Sequence, residues 1–317
     1  MLQDLADWVA AGRRRHLLFA LATLVTVLFV GYTFGTFDQT IHIPFLKRYA
    51  DPTLFPGDPF IDLRLTHYSY FWQLFTPFYR AGVLEVTLFI VHLGVVYGTF
   101  WAVWALSETL FASPLASLIT VAGFVFPHIG FAGFPVLEFS LLNRTFVLPF
   151  LLVATNLFLR RRYVAAFLVA GLMYNLHVIS VQFVLAMFLL DAVVELKSIG
   201  WRRLAVSLAV FIVAALPVLV WKLTGTPVDF SVRTEWFQTI ARGTLFNLFY
   251  LFPPFAYILV MTLSGFSALA LFVVARHGQP PAPQHRTVSV CIVWLSRLAL
   301  SAMRMEFSDS RFDTTER

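Results

Sequence analysis

The sequence predicts an all-α membrane protein: a polytopic bundle of about eight transmembrane helices, with interfacial helices in a long first outer loop. Of its 317 residues 59% are apolar and only 13% are charged, about half of the roughly 25% that a soluble domain carries. The apolar residues form long uncharged blocks that recur as far as Ala275, too many for one soluble core to bury. The basic residues behind the net charge of +6 lie in short clusters between these blocks, a pattern typical of cytoplasmic loops and not of a nucleic-acid-binding surface.

The composition excludes several other classes of protein. The 35 Phe, 10 Tyr and 8 Trp residues are the opposite of a disordered composition. The single cysteine, Cys291, excludes a disulfide framework and a cysteine-based metal site.

The first apolar block follows the arginine triplet at residues 13–15. No small-residue cleavage site follows that block, so we expect an uncleaved helix whose basic end is cytoplasmic. The basic clusters at 160–162, 197–203 and 276 should lie on the same side, which requires an even number of crossings between any two of them. The predicted spans are residues 17–35, 81–106, 110–127, 145–159, two short helices within 163–196 that turn near 175–177, 204–223 and 255–275.

This topology places both termini in the cytoplasm of a multi-pass plasma (inner) membrane protein. We assign residues 1–275 to the transmembrane domain and 276–317 to a cytoplasmic tail. The composition changes abruptly at this boundary, which fits an aberrant or truncated end as well as it fits a genuine tail. The inner loops are short and basic, so we expect function on the outer face. The outer segments are 36–80, 128–144, the turn near 177, and 224–244.

Asp38 is the leading candidate for catalysis. It follows the first predicted span by three residues, at the outer interface, where a carboxylate can act as a general base or help to hold a metal. Any helix that Asp38 capped would meet Pro44 about six residues later, where the ring clashes with the preceding turn. Functional and structural roles stay equally open for it. Asp51 and Asp58 each precede a proline and are predicted to be helix N-caps.

Arg144 opens a predicted helix of about 15 residues, roughly 22 Å long. Such a helix is too short for the whole hydrocarbon layer, so Arg144 should lie near headgroup phosphates, where it either binds a phosphate bidentately or snorkels. His42, His128, Glu138 and His177 share its face of the membrane, and with Arg144 they are our predicted substrate-binding residues. A helix-capping role stays open for His177.

The rest of the first loop is predicted to be structural. Asp62 and Arg64 form a local ion pair in this interpretation. The aromatic residues are predicted to form a belt on an interfacial helix; they are His67, Tyr68, Tyr70, Trp72 and Tyr79.

The string Asp38-Gln39-Thr40-Ile41-His42, an acidic residue just past the first span in a long outer loop, resembles the first-loop motif of membrane glycosyltransferases of the C-type fold. Residues 49–60 resemble a stretch of uncharacterised bacterial membrane proteins of that broad type. Gln39 stands where the family motif often has a second acidic residue, so the resemblance does not carry over a metal-binding version of the motif.

The resemblance implies an enzyme that transfers a sugar from a polyprenyl-phosphate carrier at the outer face. Asp38 would activate an acceptor hydroxyl, or stabilise the positive charge that develops on the sugar. Arg144 would hold the carrier phosphate, with His128 and His177 as helpers.

Two other classes remain open from the sequence. A transporter or flippase would use Glu85, His92 and His177 as a proton or substrate path, although no internal repeat is visible. A non-catalytic scaffold would bind a partner through its outer loop. The sequence has no glycine-rich phosphate loop, His-x-x-x-His pair, Gly-x-Ser-x-Gly elbow or cysteine cluster. We therefore expect no cofactor and no metal. The expected partner is the lipid bilayer, and we expect no nucleic-acid partner.

Overall fold

Every regular element in the part of the chain that the structure describes is a helix, in agreement with the predicted all-α class. The structure is a computed structural model and describes residues 2–127 and 136–225. The predicted span at 255–275, most of the third outer loop and the tail lie outside these ranges. The α-helices of the described ranges are α1 Leu2–Ala10, α2 Arg14–Val30, α3 Gln39–Ala50, α4 Pro59–Asp62, α5 Thr76–Arg80, α6 Leu84–Phe111, α7 Pro114–Val125, α8 Asn143–Leu159, α9 Tyr163–Tyr174, α10 Val178–Val194, α11 Leu196–Ile199 and α12 Trp201–Thr224.

The helix lengths support part of the predicted membrane topology. In the described ranges α6, with 28 residues, and α12, with 24, are long and apolar enough to cross a membrane. Helices α7, α8, α9 and α10 are apolar but only 12 to 17 residues long. A 12-residue helix rises about 18 Å, short of the roughly 30 Å hydrocarbon layer. Helix lengths therefore establish two candidate spans, and the predicted count of about eight stays a prediction.

The long apolar run 163–196 is broken where the sequence predicts, between α9 and α10. Asn175 in the break donates its side-chain amide to the Ala214 carbonyl at 2.8 Å and accepts from the Val218 amide at 3.1 Å, both in α12. The Asn175 carbonyl also accepts from the amide of Tyr70 at 2.9 Å. The prediction of two short helices is confirmed, and their turn is tied to α12 and to the first loop.

Helices α9 and α12 approach each other closely at Gly171. A Cβ added there would lie 2.6 Å from the Phe211 carbonyl oxygen and 2.7 Å from the Ala214 Cβ. The missing side chain therefore lets the two backbones meet. The rings of Phe158 and Phe188 stack with centroids 4.3 Å apart, beside Phe167 of α9, and close the core between α8 and α10.

Helices α6 and α8 pack side by side and run in the same direction. Pro149 of α8 lies against Gly98 of α6, 3.6 Å from where a Cβ would be. Eleven positions further along α6, Thr109 donates its hydroxyl to Asn156 at 2.6 Å and accepts from Arg160 at 2.9 Å. The N-terminal ends of both helices therefore lie at one end of the bundle, where the first loop also packs.

The first loop differs from the prediction at two of its prolines. Helix α3 begins directly after Asp38 and continues through Pro44. Ile43, Phe45 and Leu46 are buried around this proline, and their packing offsets the lost hydrogen bond and the ring clash. Asp58 is the N-cap of α4, as predicted, and accepts from the Phe60 amide at 2.9 Å. Asp51 is not an N-cap: its carboxylate accepts from the amide and hydroxyl of Thr53, and a turn follows.

The aromatic residues of this loop are divided between core and surface. Trp72 is only 2% exposed and packs inside the bundle, so the interfacial belt is wrong for this residue. Tyr68 and Tyr70 pack around Trp221 at the end of α12. The predicted ion pair between Arg64 and Asp62 is present at 2.6 Å.

Candidate functional site

Asp38 and Glu138 are joined by the guanidinium of Arg144. Arg144 Nη1 donates to Asp38 Oδ2 at 2.6 Å, and Arg144 Nε donates to Glu138 Oε1 at 2.5 Å. The side chain of Glu138 is 6% exposed, whereas those of Arg144 and Asp38 are 27% and 32% exposed. We call these three residues the carboxylate–guanidinium cluster. The cluster joins parts of the chain that are 106 residues apart and leaves Asp38 as its most accessible member.

Local hydrogen bonds hold the two carboxylates in place. Gln39, the residue after Asp38, is fully buried and donates its amide to the Leu141 carbonyl at 2.9 Å. The side-chain oxygen of Gln39 accepts from the Gly35 amide at 2.8 Å, so the same residue closes the turn that precedes α3. The second oxygen of Glu138 accepts from the Thr145 hydroxyl at 3.3 Å. The start of α3 and residues 136–142 are thus fastened to each other beside the cluster.

Two further imidazoles pack next to the cluster. The ring of His42 stacks on Trp72, with centroids 5.5 Å apart, and lies 4.7 Å from the ring of His67. Within the described residues, His42 Nδ1 and His67 Nε2 are buried and have no hydrogen-bond partner. The charges of Asp38 and Arg144 act on His42, which places the imidazole pair beside the carboxylate–guanidinium cluster.

His177 caps helix α10. Its Nδ1 accepts from the Ser180 amide at 3.3 Å and lies 2.7 Å from the Ser180 hydroxyl. The structural alternative for this residue is therefore confirmed, since the first turn of a helix needs such an acceptor. Arg144 and His67 nevertheless act on its ring electrostatically and lower the pKa of His177.

Burial controls the protonation of these groups. It lowers the pKa of His42 to about 3, an effect that His67 reinforces and Asp38 opposes. Burial also lowers the pKa of His177 to about 4, with a further contribution from Arg144, and it lowers the pKa of His67. Burial raises the pKa of Glu138, although Arg144 and Thr145 act against the rise. All three imidazoles are therefore neutral at neutral pH.

The structure brings together most of the residues that the sequence singled out. Asp38, Glu138 and Arg144 are in direct contact, and His42 and His177 are close enough to interact with them electrostatically. His128 lies outside the described residues.

Sequence reasoning missed two contributors to this region. His67 was assigned to the aromatic belt, and Gln39 was considered only as a departure from an acidic motif. The one sequence signal for His67 is that it shares the first loop with His42. Nothing local distinguishes Gln39, because its partner Leu141 is 102 residues away.

In residues 2–127 and 136–225, no three histidine, cysteine or acidic side chains lie in an arrangement that could hold a metal ion. The unpartnered nitrogens of His42 and His67 belong to a pair and not to a larger ligand set. The chemistry visible at this site is that of carboxylates, a guanidinium and neutral imidazoles.

Comparisons with protein families, with curated proteins and with solved structures find no match to this chain.

The geometry suits proton transfer next to an anion-binding group. Asp38 is oriented by Arg144 but keeps about a third of its surface open, which is what a carboxylate needs in order to accept a proton from a bound hydroxyl. Glu138 is enclosed, and its contact with Arg144 fixes the direction of the guanidinium. The neutral imidazoles offer donors and acceptors without adding charge.

Proposed function

We propose that the protein is a multi-pass membrane protein of about eight spans, in the plasma (inner) membrane, with both termini in the cytoplasm. The two long apolar helices α6 and α12 support this, as do the shorter apolar helices between them. Large apolar side chains also point out of the bundle, among them Leu28, Val213 and Leu223, which are 75%, 70% and 85% exposed. Such side chains suit a hydrocarbon surrounding better than water.

We further propose that the outer end of the bundle transfers a sugar from a polyprenyl-phosphate donor, as in the glycosyltransferases of the C-type fold. In this reaction Asp38 accepts the proton of an acceptor hydroxyl while the hydroxyl oxygen forms a bond to the anomeric carbon of the sugar. The bond from that carbon to the phosphate oxygen breaks, and its electron pair leaves with the lipid phosphate. The observation that carries the proposal is the contact of Arg144 with Asp38 at 2.6 Å, which places a base next to an anion-binding group.

The donor phosphate has a role in this scheme beyond binding. Arg144 holds both carboxylates, so a phosphate that binds the guanidinium competes with the more exposed of them, which is Asp38. Binding of the donor then releases Asp38 to act as the base, while the buried Glu138 continues to hold Arg144. His42 and His177, both neutral, supply hydrogen bonds to sugar hydroxyls, and His128 stays a predicted helper.

The test is the Asp38→Asn variant, assayed in detergent with a set of synthetic polyprenyl-phosphate sugars by the release of polyprenyl phosphate. Loss of a general base lowers the rate by about 10²–10⁴-fold. The matched control is Asp62→Asn, which removes an exposed carboxylate of the same loop and should leave the rate unchanged. Release by Asp38→Asn at the rate of the unaltered protein would remove this carboxylate from the mechanism.

One observation favours a second candidate function, transport. His92, inside α6, is 1% exposed, and its Nδ1 has no partner within the described residues. The ring of Tyr32, whose hydroxyl also lacks a partner there, lies 5.2 Å away. Polar groups inside a spanning helix often mark an ion or substrate path. Proton uptake by reconstituted vesicles that is lost in His92→Phe and kept in Asp38→Asn would favour transport over transfer.

A further inference from the structure

An apolar groove lies between α6 and α8. It encloses a cavity of about 330 Å³. On α6 it is lined by Val91, Gly94, Gly98 and Trp101, which recur at intervals of three and four and so share one face of the helix. Gly94 and Trp101 are exposed, so the groove opens to the outside of the helix bundle and not only into its interior.

The groove is separate from the carboxylate–guanidinium cluster. Its wall on α8 is formed by Phe146, Pro149, Phe150 and Val153. Val153 is nine positions after Arg144, two and a half turns, and therefore lies on the opposite face of α8. The ring of Phe146 also packs inward against the first loop, so it stands between the groove and the cluster.

The dimensions of the groove match one chain from one leaflet. From Val91 to Trp101 the helix rises about 15 Å, half of the roughly 30 Å hydrocarbon thickness. An apolar cavity of about 150 Å³ holds one benzene molecule, so by the same measure this groove holds roughly twelve carbon atoms. Its lining side chains contribute no charged group, which suits a hydrocarbon chain and excludes the sugar-phosphate part of a donor.

We propose that this groove binds one acyl chain of a bilayer phospholipid, at a site distinct from that of the donor. The inference relies on the proposed membrane insertion but not on the proposed sugar transfer. The groove opens sideways, where bilayer lipids surround an inserted protein. It also faces away from Arg144, so a donor whose phosphate contacts Arg144 would have to pass around α8 to place its own chain there.

Gly94 provides a direct test because a Cβ at this position meets no atom within 4 Å. Gly94→Leu therefore places its Cβ in open space and adds an isobutyl side chain to the lining of the groove. The matched control is Gly123→Leu in α7, where an added Cβ also meets nothing within 4 Å and which does not line this groove. Val153→Phe fills the groove from α8 and is measured alongside, so that the result does not depend on one substitution.

The measurement is native mass spectrometry of the full chain, delipidated in detergent and then incubated with dioleoyl phosphatidylglycerol. We expect one phospholipid per chain in the unaltered protein and in Gly123→Leu, and occupancy at least about tenfold lower, equivalent to about 1.4 kcal/mol, in Gly94→Leu and Val153→Phe. Asp38→Asn should bind the phospholipid normally, which separates this inference from the proposed reaction.

Two outcomes overturn the inference. One is the absence of stable phospholipid, or equal occupancy in all variants. The other is that phospholipid fails to bind while polyprenyl phosphate binds and is lost in both groove variants. The groove would then be part of the donor site, and the proposed transfer reaction would stand without a separate phospholipid.

Discussion

Replacement of Arg144 by methionine tests the carboxylate–guanidinium cluster. Methionine keeps an unbranched apolar stem but has no charge. Glu138, 6% exposed, loses a charge-assisted bond of about 1.5–3 kcal/mol. Asp38 is 32% exposed, so water replaces most of the ion pair that it loses with Arg144. The loss of this second ion pair therefore lowers the free energy of unfolding by at most about 1 kcal/mol. We expect the free energy of unfolding to fall by about 1.5–4 kcal/mol.

The loss is measurable as a change in melting temperature, followed by tryptophan fluorescence in detergent. The unfolding entropy is about 2.1 cal/mol/K per residue, which for 317 residues gives a shift of about 1.5 °C per kcal/mol. A loss of about 3 kcal/mol therefore lowers the melting temperature by roughly 4–5 °C. Arg64→Met is the control: it breaks an ion pair whose Asp62 is 54% exposed, together with one hydrogen bond from Arg64 to the Ile61 carbonyl at 3.1 Å. Such a pair contributes less than about 1 kcal/mol.

A double-mutant cycle with Glu138→Gln identifies the cause of the loss. If the buried contact is responsible, the double variant loses less than the sum of the single variants, by at least about 1 kcal/mol. Arg144 also opposes the burial that raises the pKa of Glu138. Without it the pKa rises further, so acidification should neutralise the glutamate and reduce the loss. Additive effects, or equal losses for Arg144→Met and Arg64→Met, would refute this account of the cluster.

Two further predictions concern packing and pH. Gly171→Ala forces a methyl group to within 2.6 Å of the Phe211 carbonyl oxygen and should destabilise the protein by about 1–3 kcal/mol; Gly123→Ala, which meets nothing, is the control in the same unfolding assay. The pKa values of His42 and His177 are lowered from 6.5 to about 3 and about 4, so below pH 6.5 the unfolded chain binds protons that the folded chain does not. The contribution of these two histidines to stability should be flat above that pH and fall by about 1.4 kcal/mol per pH unit for each of them as the pH drops toward 4. A melting temperature that falls equally from pH 7 to 5 in the unaltered protein and in a His42→Gln, His177→Gln double variant would contradict the neutral state of both rings.

The sequence predicts well the features that follow from local pattern. The break in the run 163–196 follows from charge placement alone, and the structure explains it through Asn175, which bonds to α12. The N-cap at Asp58 follows from its proline neighbour. Asp51 has the same neighbour and caps nothing, because its carboxylate bonds to Thr53 in a turn that does not continue as a helix.

Contacts between distant parts of the chain are what the sequence leaves undetermined. Charge placement predicts that Asp38 and Arg144 share one face of the membrane, but no periodicity indicates that they touch across 106 residues. Pro44 indicates from the sequence that no helix begins at Asp38, but tertiary packing tolerates this proline within α3. The sequence predicts His67 to be part of an interfacial aromatic belt, and only the folded loop shows that its ring lies next to that of His42.

Gln39 links the mobility of one carboxylate to that of the other. Because its amide is bonded to the Leu141 carbonyl in the interior, α3 cannot rotate or slide without displacing the backbone that carries Glu138. A ligand, antibody fragment or cross-link that shifts either segment should therefore displace both Asp38 and Glu138. A molecule that binds between these two segments and separates them would therefore break the carboxylate–guanidinium cluster without contacting Asp38 or Glu138.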